Sequence, residues 1–176
     1  MPLQDESLAV RLAVKIENVL MTRLVPANHP GPLFKFLFKI PIFFYAIGLP
    51  LFNDFILLLT TTGRKSGKLR HTPLEYRREK GTGYAIITAG WGGTTDWRRN
   101  VQANPNVQVQ IGRKKFAARA EPLTDAQVVD WLSESLRINP RSAAMFSRWA
   151  GEPVSLDHPE SLHRAAKVFP SYRLIP

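Results

Sequence analysis

From residue 55 onward the chain is divided into runs of five to eight residues rich in leucine, isoleucine, valine and threonine, separated by glycine, asparagine and charged turns. Runs of that length are not stable singly, because each leaves a row of backbone donors and acceptors unpaired along its edges. A small antiparallel sheet or barrel satisfies them. The expected strands cover residues 55–61, 70–77, 84–89, 107–111 and 115–121, with hairpin turns at Lys80-Gly81-Thr82-Gly83 and Gly112-Arg113. Between the third and fourth, residues 94–103 read as a short helix, capped by Thr95 or Asp96 and stopped by Asn104-Pro105.

The flanks have helical periodicity. Residues 5–25 place Leu8, Leu12, Ile16, Val19, Leu20 and Leu24 on one face, with Arg11, Lys15 and Arg23 between them. Prolines then break the pattern before an apolar segment over residues 33–52, whose longest uncharged run, residues 40–52, has thirteen residues. A membrane span needs about twenty apolar residues, and the segment lies too far from the N-terminus for a signal peptide. It is expected either as a buried core or dimer-contact helix, or as an interfacial element with aromatics at the headgroup level and lysines reaching outward. At the other end, Thr124 followed by Gln127 is a capping-box pattern opening a helix over 125–136. A second helix follows Asn139-Pro140 and runs to Ala150, and one more is expected over 158–172. The organisation is one domain in three stretches: a helical extension over 1–52, a barrel core over 53–123 and covering helices over 124–176.

The 176 residues carry 24 Lys+Arg against 14 Asp+Glu, a formal net charge of +10. Residues 62–119 hold thirteen of the cations and three of the acids, Glu75, Glu79 and Asp96, so the flanks balance and the whole excess sits in the barrel core. An anionic partner is expected there. The absence of cysteine excludes disulfides, thiolate metal sites and a cysteine nucleophile, and it fits a chain made for the cytosol. His29, His71, His158 and His163 show no metal-binding spacing, so no metal is expected. The largely aliphatic strands lack the exposed aromatics that stack nucleic-acid bases, so no nucleic acid is expected either.

Two segments carry chemistry. Gly63-Arg64-Lys65-Ser66-Gly67-Lys68 is not a Walker loop, because only three residues separate the glycines and Leu69 stands where the magnesium-binding hydroxyl is required. It is instead a basic turn for a phosphate or carboxylate: Arg64, Lys65 and Arg70 supply charge-assisted hydrogen bonds, and the hydroxyls of Thr62, Ser66 and Thr72 supply neutral ones. The second segment, Thr88-Ala89-Gly90-Trp91-Gly92-Gly93, joins a strand end to a helix start through small residues. Such a loop lets a flat ring lie against backbone, with the helix N-terminus adding donors. Trp97, just beyond it, is expected in the core.

The ordered set Leu59-Thr60-Thr61-Thr62-Gly63-Arg64-Lys65-Ser66-Gly67-Lys68-Leu69-Arg70, Thr72-Pro73-Leu74, Gly92-Gly93, Trp97-Arg98-Arg99-Asn100 and Ala103-Asn104-Pro105-Asn106-Val107 resembles the deazaflavin-dependent nitroreductase family. These are oxidoreductases with a split antiparallel β-barrel, related to FMN-binding barrels, that use coenzyme F420. The resemblance implies that Arg64, Lys65, Ser66, Gly67, Arg70 and Thr72 hold the phosphate and acidic tail of the cofactor. It implies that Thr88, Ala89, Gly90, Trp91 and Asn100 lie near the ring and its linker. The implied activity is hydride transfer between the deazaflavin and an electron-poor, apolar acceptor of the quinone or enone type. Relatives of the nitroreductase type place tyrosines on the C-terminal helices, whereas residues 140–149 have none, so nitroimidazole reduction is not carried over. No catalytic side chain is identified. Two alternatives stand beside this expectation: a lipid- or fatty-acid-binding protein of the same fold, and an FMN flavoprotein. The apolar segment 33–52 adds an expected peripheral contact with the inner face of the membrane, and a homodimer is the expected assembly.

Overall fold

The computed structural model describes residues 39–47, 55–90 and 93–176. The helix expected over 5–25, much of the apolar segment 33–52, and Trp91 lie outside the described residues.

Six strands form a closed barrel: β1 (Ile56–Thr62), β2 (Leu69–Arg78), β3 (Ala85–Thr88), β4 (Asn106–Ile111), β5 (Lys114–Pro122) and β6 (Ser171–Ile175). Their order around the ring is β1-β2-β3-β6-β5-β4, and every neighbouring pair is antiparallel. Alternation along the strands sends Leu57, Leu59, Ile87, Val107, Val109 and Leu174 inward to one shared core. A helix, α2 (Asp96–Ala103), adds Trp97 to this core, edge-on to Tyr172 with ring centroids 5.8 Å apart. Trp97 is thus a packing residue, as its sequence context indicated.

The five strands expected from the sequence are present with ends shifted by one residue in most cases. The helix expected over 158–172 is a correction: it spans Pro159–Val168, and Pro170 then turns the chain into β6. Five terminal residues give too short an alternation to identify a strand. Its pairing comes from distant partners, with Ile87 opposite Tyr172 and Ala120 opposite Leu174.

Four further helices are described: α1 (Ile40–Ala46), α3 (Asp125–Ile138), α4 (Ser142–Ala150) and α5 (Pro159–Val168). The capping box at the start of α3 forms as the sequence indicates, with Thr124 Oγ1 accepting from the Gln127 amide and Gln127 Oε1 accepting from the Thr124 amide. The last three helices build a second core around Leu132, Leu136, Phe146 and Phe169. Phe146 stands at its centre, edge-on to Trp131 at 5.9 Å and to Phe169 at 5.4 Å. The Leu123 amide, donating to the Ser171 carbonyl at 2.9 Å, stitches this layer to the barrel.

Helix α1 has two unlike faces. Tyr45 is buried and donates its hydroxyl to the Ile56 carbonyl at 2.6 Å, and burial pushes its pKa up to about 12. Ile40, Phe43 and Ile47, at helical spacing, are exposed. Among the described residues no helix is long and apolar enough to cross a membrane.

Arg173 of β6 pairs through two nitrogens with Glu79 at the end of β2, and Thr82 donates to the same carboxylate at 2.6 Å. These bonds, the Arg173 bond first, hold the Glu79 carboxyl below its ordinary value of 4.5. A depressed carboxyl pKa contributes stability above the unfolded value, and that contribution is lost as pH falls through the folded one. Glu79→Gln is therefore expected to cost about 1–2 kcal/mol at neutral pH. The gap from wild type closes as pH is lowered below 4.5, which urea unfolding at a series of pH values measures.

Candidate functional site

The basic turn joins β1 to β2. The Gly63 amide donates to the Lys68 carbonyl at 2.8 Å, and the amides of Ser66 and Gly67 both donate to the Gly63 carbonyl, at 3.1 and 2.8 Å. Gly67 has φ +66, the left-handed region that glycine occupies without strain. A Cβ on Gly63 would stand 3.0 Å from Ser66 Oγ and 3.1 Å from the Lys68 carbonyl oxygen. Both glycines are thus accounted for by the turn itself.

Strand register sorts the side chains into two faces, because directly opposed residues project to the same side. Thr61 opposes Arg70 and Leu59 opposes Thr72, so Arg70 and Thr72 share the face of two buried residues. On the other face Thr60 opposes His71, with Oγ1 and Nδ1 2.9 Å apart, and Thr62 opposes Leu69. That face borders an open groove of about 510 Å3, lined also by Gln108 of β4 and Arg119 of β5.

Helix α2 holds the turn from the first face. The Asn100 Oδ1 accepts from the Arg64 backbone amide at 3.2 Å and from Arg64 Nη1 at 3.1 Å, while its Nδ2 donates to Thr61 Oγ1 at 3.2 Å. Asn100 and Thr61 are 4% and 1% exposed, so this amide is a buried joint between helix, strand and turn. Arg64 Nη2 completes the contact with an ion pair to Asp96 at 3.0 Å. Lys65, Lys68 and Arg70 have no acid partner among the described residues, and all three are exposed. Three uncompensated cations therefore remain at the tip.

The described residues of the small-residue segment, Thr88, Ala89, Gly90 and Gly93, pack tightly against protein. The Thr88 hydroxyl is 2.8 Å from that of Ser171, and the Ala89 amide donates to the Pro170 carbonyl at 2.9 Å. A Cβ on Gly90 would stand 3.1 Å from the Trp149 indole. Gly93 has φ +71, and a Cβ there would stand 2.9 Å from the Pro170 ring. The segment leads into α2, where Arg98 donates to the Gly93 carbonyl at 3.0 Å. Thr95 occupies the cap position without a capping bond, and its hydroxyl and Arg98 Nε are buried without partners among the described residues.

The structure thus gathers Arg64, Lys65, Ser66, Gly67, Arg70 and Thr72 in one hairpin, fixed by Asn100. It gathers Thr88, Ala89 and Gly90 beside Ser171 and Trp149, and α2 carries the connection between the two groups. Sequence reasoning gave Thr61 no contact of its own and Asp96 only the role of a helix cap, and it missed Trp149 and Ser171 as parts of these clusters. Asp96 and Asn100, four residues apart on one helix face, were detectable by spacing. Trp149 and Ser171 reach the loop only through tertiary packing. The remaining cations do not join the turn: Arg77, Arg78 and Lys80 lie at the far end of β2. There Arg77 meets Glu75 at 3.3 Å, and burial raises the Glu75 carboxyl against the opposing pull of that guanidinium.

Asn100→Ala leaves Thr61 and the Arg64 amide without their partner. An expected loss of about 1–3 kcal/mol follows from stranding buried polar groups, and thermal unfolding of the purified variant checks it.

Residues 45–152 match the family profile described as F420H(2)-dependent quinone reductase. F420H(2)-dependent quinone reductases of Mycobacterium tuberculosis, from strains H37Rv and CDC 1551, are each 39% identical over 69 residues, which is 38% of this chain and 46% of each relative. The match therefore spans about half the length of these curated relatives. A solved structure of an F420-H2 dependent reductase is 30% identical, covers 68% of this chain and 92% of its own, and has a TM-score of 0.47.

Proposed function

Because the chain belongs to the F420H(2)-dependent quinone reductase family, we propose that it is an F420-dependent oxidoreductase acting on an electron-poor, apolar acceptor of the quinone or enone type. The observation that carries this reading is the hairpin tip, where Lys65, Lys68 and Arg70 stand exposed with no acid partner among the described residues while Arg64 is fixed by Asn100 and Asp96. That donor set suits the phosphate and carboxylates of the cofactor tail. Lys65 and Arg70 bind it, Ser66 and Thr72 add hydroxyl donors, and the Gly67 backbone lets it approach. Asn100 acts by holding Arg64 and the turn in place.

When bound, the deazaflavin supplies the hydride chemistry. The chain supplies docking, orientation and exclusion of water. Thr88 and Gly90 form the wall beside the ring with Ala89 fully buried behind them, and Trp149, packed on Gly90, closes that wall from the helical layer. A family defined by F420H(2) leaves no need for the FMN alternative. Titrating the purified protein with F420 tests the reading. Saturable binding is expected, with Lys65→Ala combined with Arg70→Ala weakening it at least tenfold. Lys114→Ala combined with Lys115→Ala removes the same charge from the β4–β5 hairpin at the opposite end of the barrel and leaves affinity within twofold. Absence of binding at high micromolar F420 would sink the proposal.

The same proposal places α1 at a lipid surface, where an apolar acceptor would be concentrated. Its support is the exposed stripe Ile40, Phe43 and Ile47, with Phe43 62% exposed, on a helix whose other face is anchored by Tyr45. Flotation with anionic liposomes is expected for the full chain and reduced at least threefold in Phe43→Ser with Ile47→Ser. Equal flotation of the two proteins removes α1 as the contact.

A further inference from the structure

The barrel and the helical layer have separate hydrophobic cores, and a groove opens at the seam between them. Where α3 passes the far ends of β2, β3 and β6, a groove of about 580 Å3 remains. Small-molecule sites have this size and favour such junctions. Helix α3 turns Gln127, Trp131, Glu134, Ser135 and Ile138 toward the groove at helical spacing. The barrel contributes Ile86, which lies between Arg77 and Arg173 in one row across the three strands.

Two features of this lining lack a structural explanation. Ser135 is 2% exposed, and its hydroxyl has no partner among the described residues. A helical serine commonly returns its hydroxyl to the carbonyl four residues back. Ser133 does so to Val129 at 2.7 Å and Ser147 to Ala143 at 2.6 Å, whereas Ser135 does not. The indole N–H of Trp131, one turn earlier, is also buried without a partner among the described residues. The second feature is charge: the lining has five cationic side chains against three carboxylates. Arg173 is matched by Glu79, Arg77 by Glu75, and Arg78 donates to the Gly83 carbonyl. Lys80 and Arg137 share the carboxylate of Glu134, at 2.6 and 3.8 Å, and the exposed Asp130 makes no ion pair among the described residues. With Glu75 and Asp130 included, five cations face four carboxylates, and Arg137 stands on the same turn of α3 as the stranded hydroxyl.

We propose that this groove is a second ligand site, for a carboxylate carried on a compact apolar body. The carboxylate accepts from the Ser135 hydroxyl within the field of Lys80 and Arg137, and the body lies over Ile86, Trp131 and Ile138. A ligand there bridges barrel and helices, so its binding tightens the seam. The site lies at the opposite end of β2 from the basic turn and does not depend on the cofactor assignment.

Calorimetric titration of the full chain with decanoate tests the proposal, with 1-decanol as the uncharged probe. Saturable one-to-one binding of decanoate is expected, at least tenfold tighter than that of decanol. Arg137→Gln, an exposed change that leaves the cores intact, is expected to weaken decanoate at least threefold. Ser135→Ala weakens it at least fivefold while leaving the melting temperature of the ligand-free protein unchanged or higher. A hydroxyl with a purely structural role would lower that temperature and leave the affinity alone. Decanoate affinity in Lys65→Ala with Arg70→Ala stays within twofold of wild type, whatever that variant does to F420. No binding at millimolar decanoate, equal affinity for decanol, or affinity lost in the turn variant and kept in Arg137→Gln would each overturn the proposal.

Discussion

Strands β3 and β5 would each present a bare edge if Ser171–Ile175 did not lie between them. Closing the ring removes both edges, which is the general means by which small antiparallel structures avoid pairing with other chains. The same few residues also organise what surrounds the barrel. Pro170 places its carbonyl on the Ala89 amide and its ring where Gly93 has no side chain. Tyr172 meets Trp97 and so seats α2, and Arg173 fixes Glu79 at the end of β2. Because the strand follows directly from the helical layer, barrel closure and helix docking are one event, and the loop beside the candidate site is shaped by both.

Helix α2 then converts a closed barrel into one with a defined hairpin tip. A long β1–β2 turn rich in lysine and glycine has no local reason to hold one position. The buried amide of Asn100 supplies one, since its oxygen accepts from the backbone amide and Nη1 of Arg64 and its nitrogen reaches Thr61. Satisfying a polar cluster of this kind internally also means that any alternative placement of the turn would strand it. Asp96 spends the charge of Arg64 on that joint, so the cation closest to the helix positions the turn while the three beyond it face solvent.

Much of this was legible in the sequence. Five of the six strands, the helix over residues 94–103 and the Thr124 capping box depend on local signals: short β-rich runs, turn residues and cap spacing. The sixth strand depends on nothing local, because five alternating residues after a helix acquire meaning only from partners more than fifty positions away. The basic turn was equally legible, and the conformation of the turn itself accounts for both of its glycines. For Asn100, residue type alone does not separate a ligand contact from a buried joint. Only the positions of Arg64 and Thr61 do that, and they come from the basic turn and from β1. Trp149 was invisible for the same reason, since its partner is a glycine that offers no side chain to signal a contact.

The net charge of +10 suggested one strongly basic site, yet its cations divide between the two ends of the barrel. Arg70 and Arg77 lie on one strand roughly 23 Å apart at a strand rise of about 3.3 Å per residue. The screening length at physiological ionic strength is about 8 Å, so the two ends act as independent fields. What each end attracts is set by its own balance of acids. At the turn, one acid meets one of four cations. Around the seam groove at the far end, Glu75, Glu79 and Glu134 pair with Arg77, Arg173, Lys80 and Arg137, so the groove itself keeps only a small positive excess. The turn therefore suits a ligand bearing several negative charges, and the seam groove suits one that carries a single charge and is otherwise apolar.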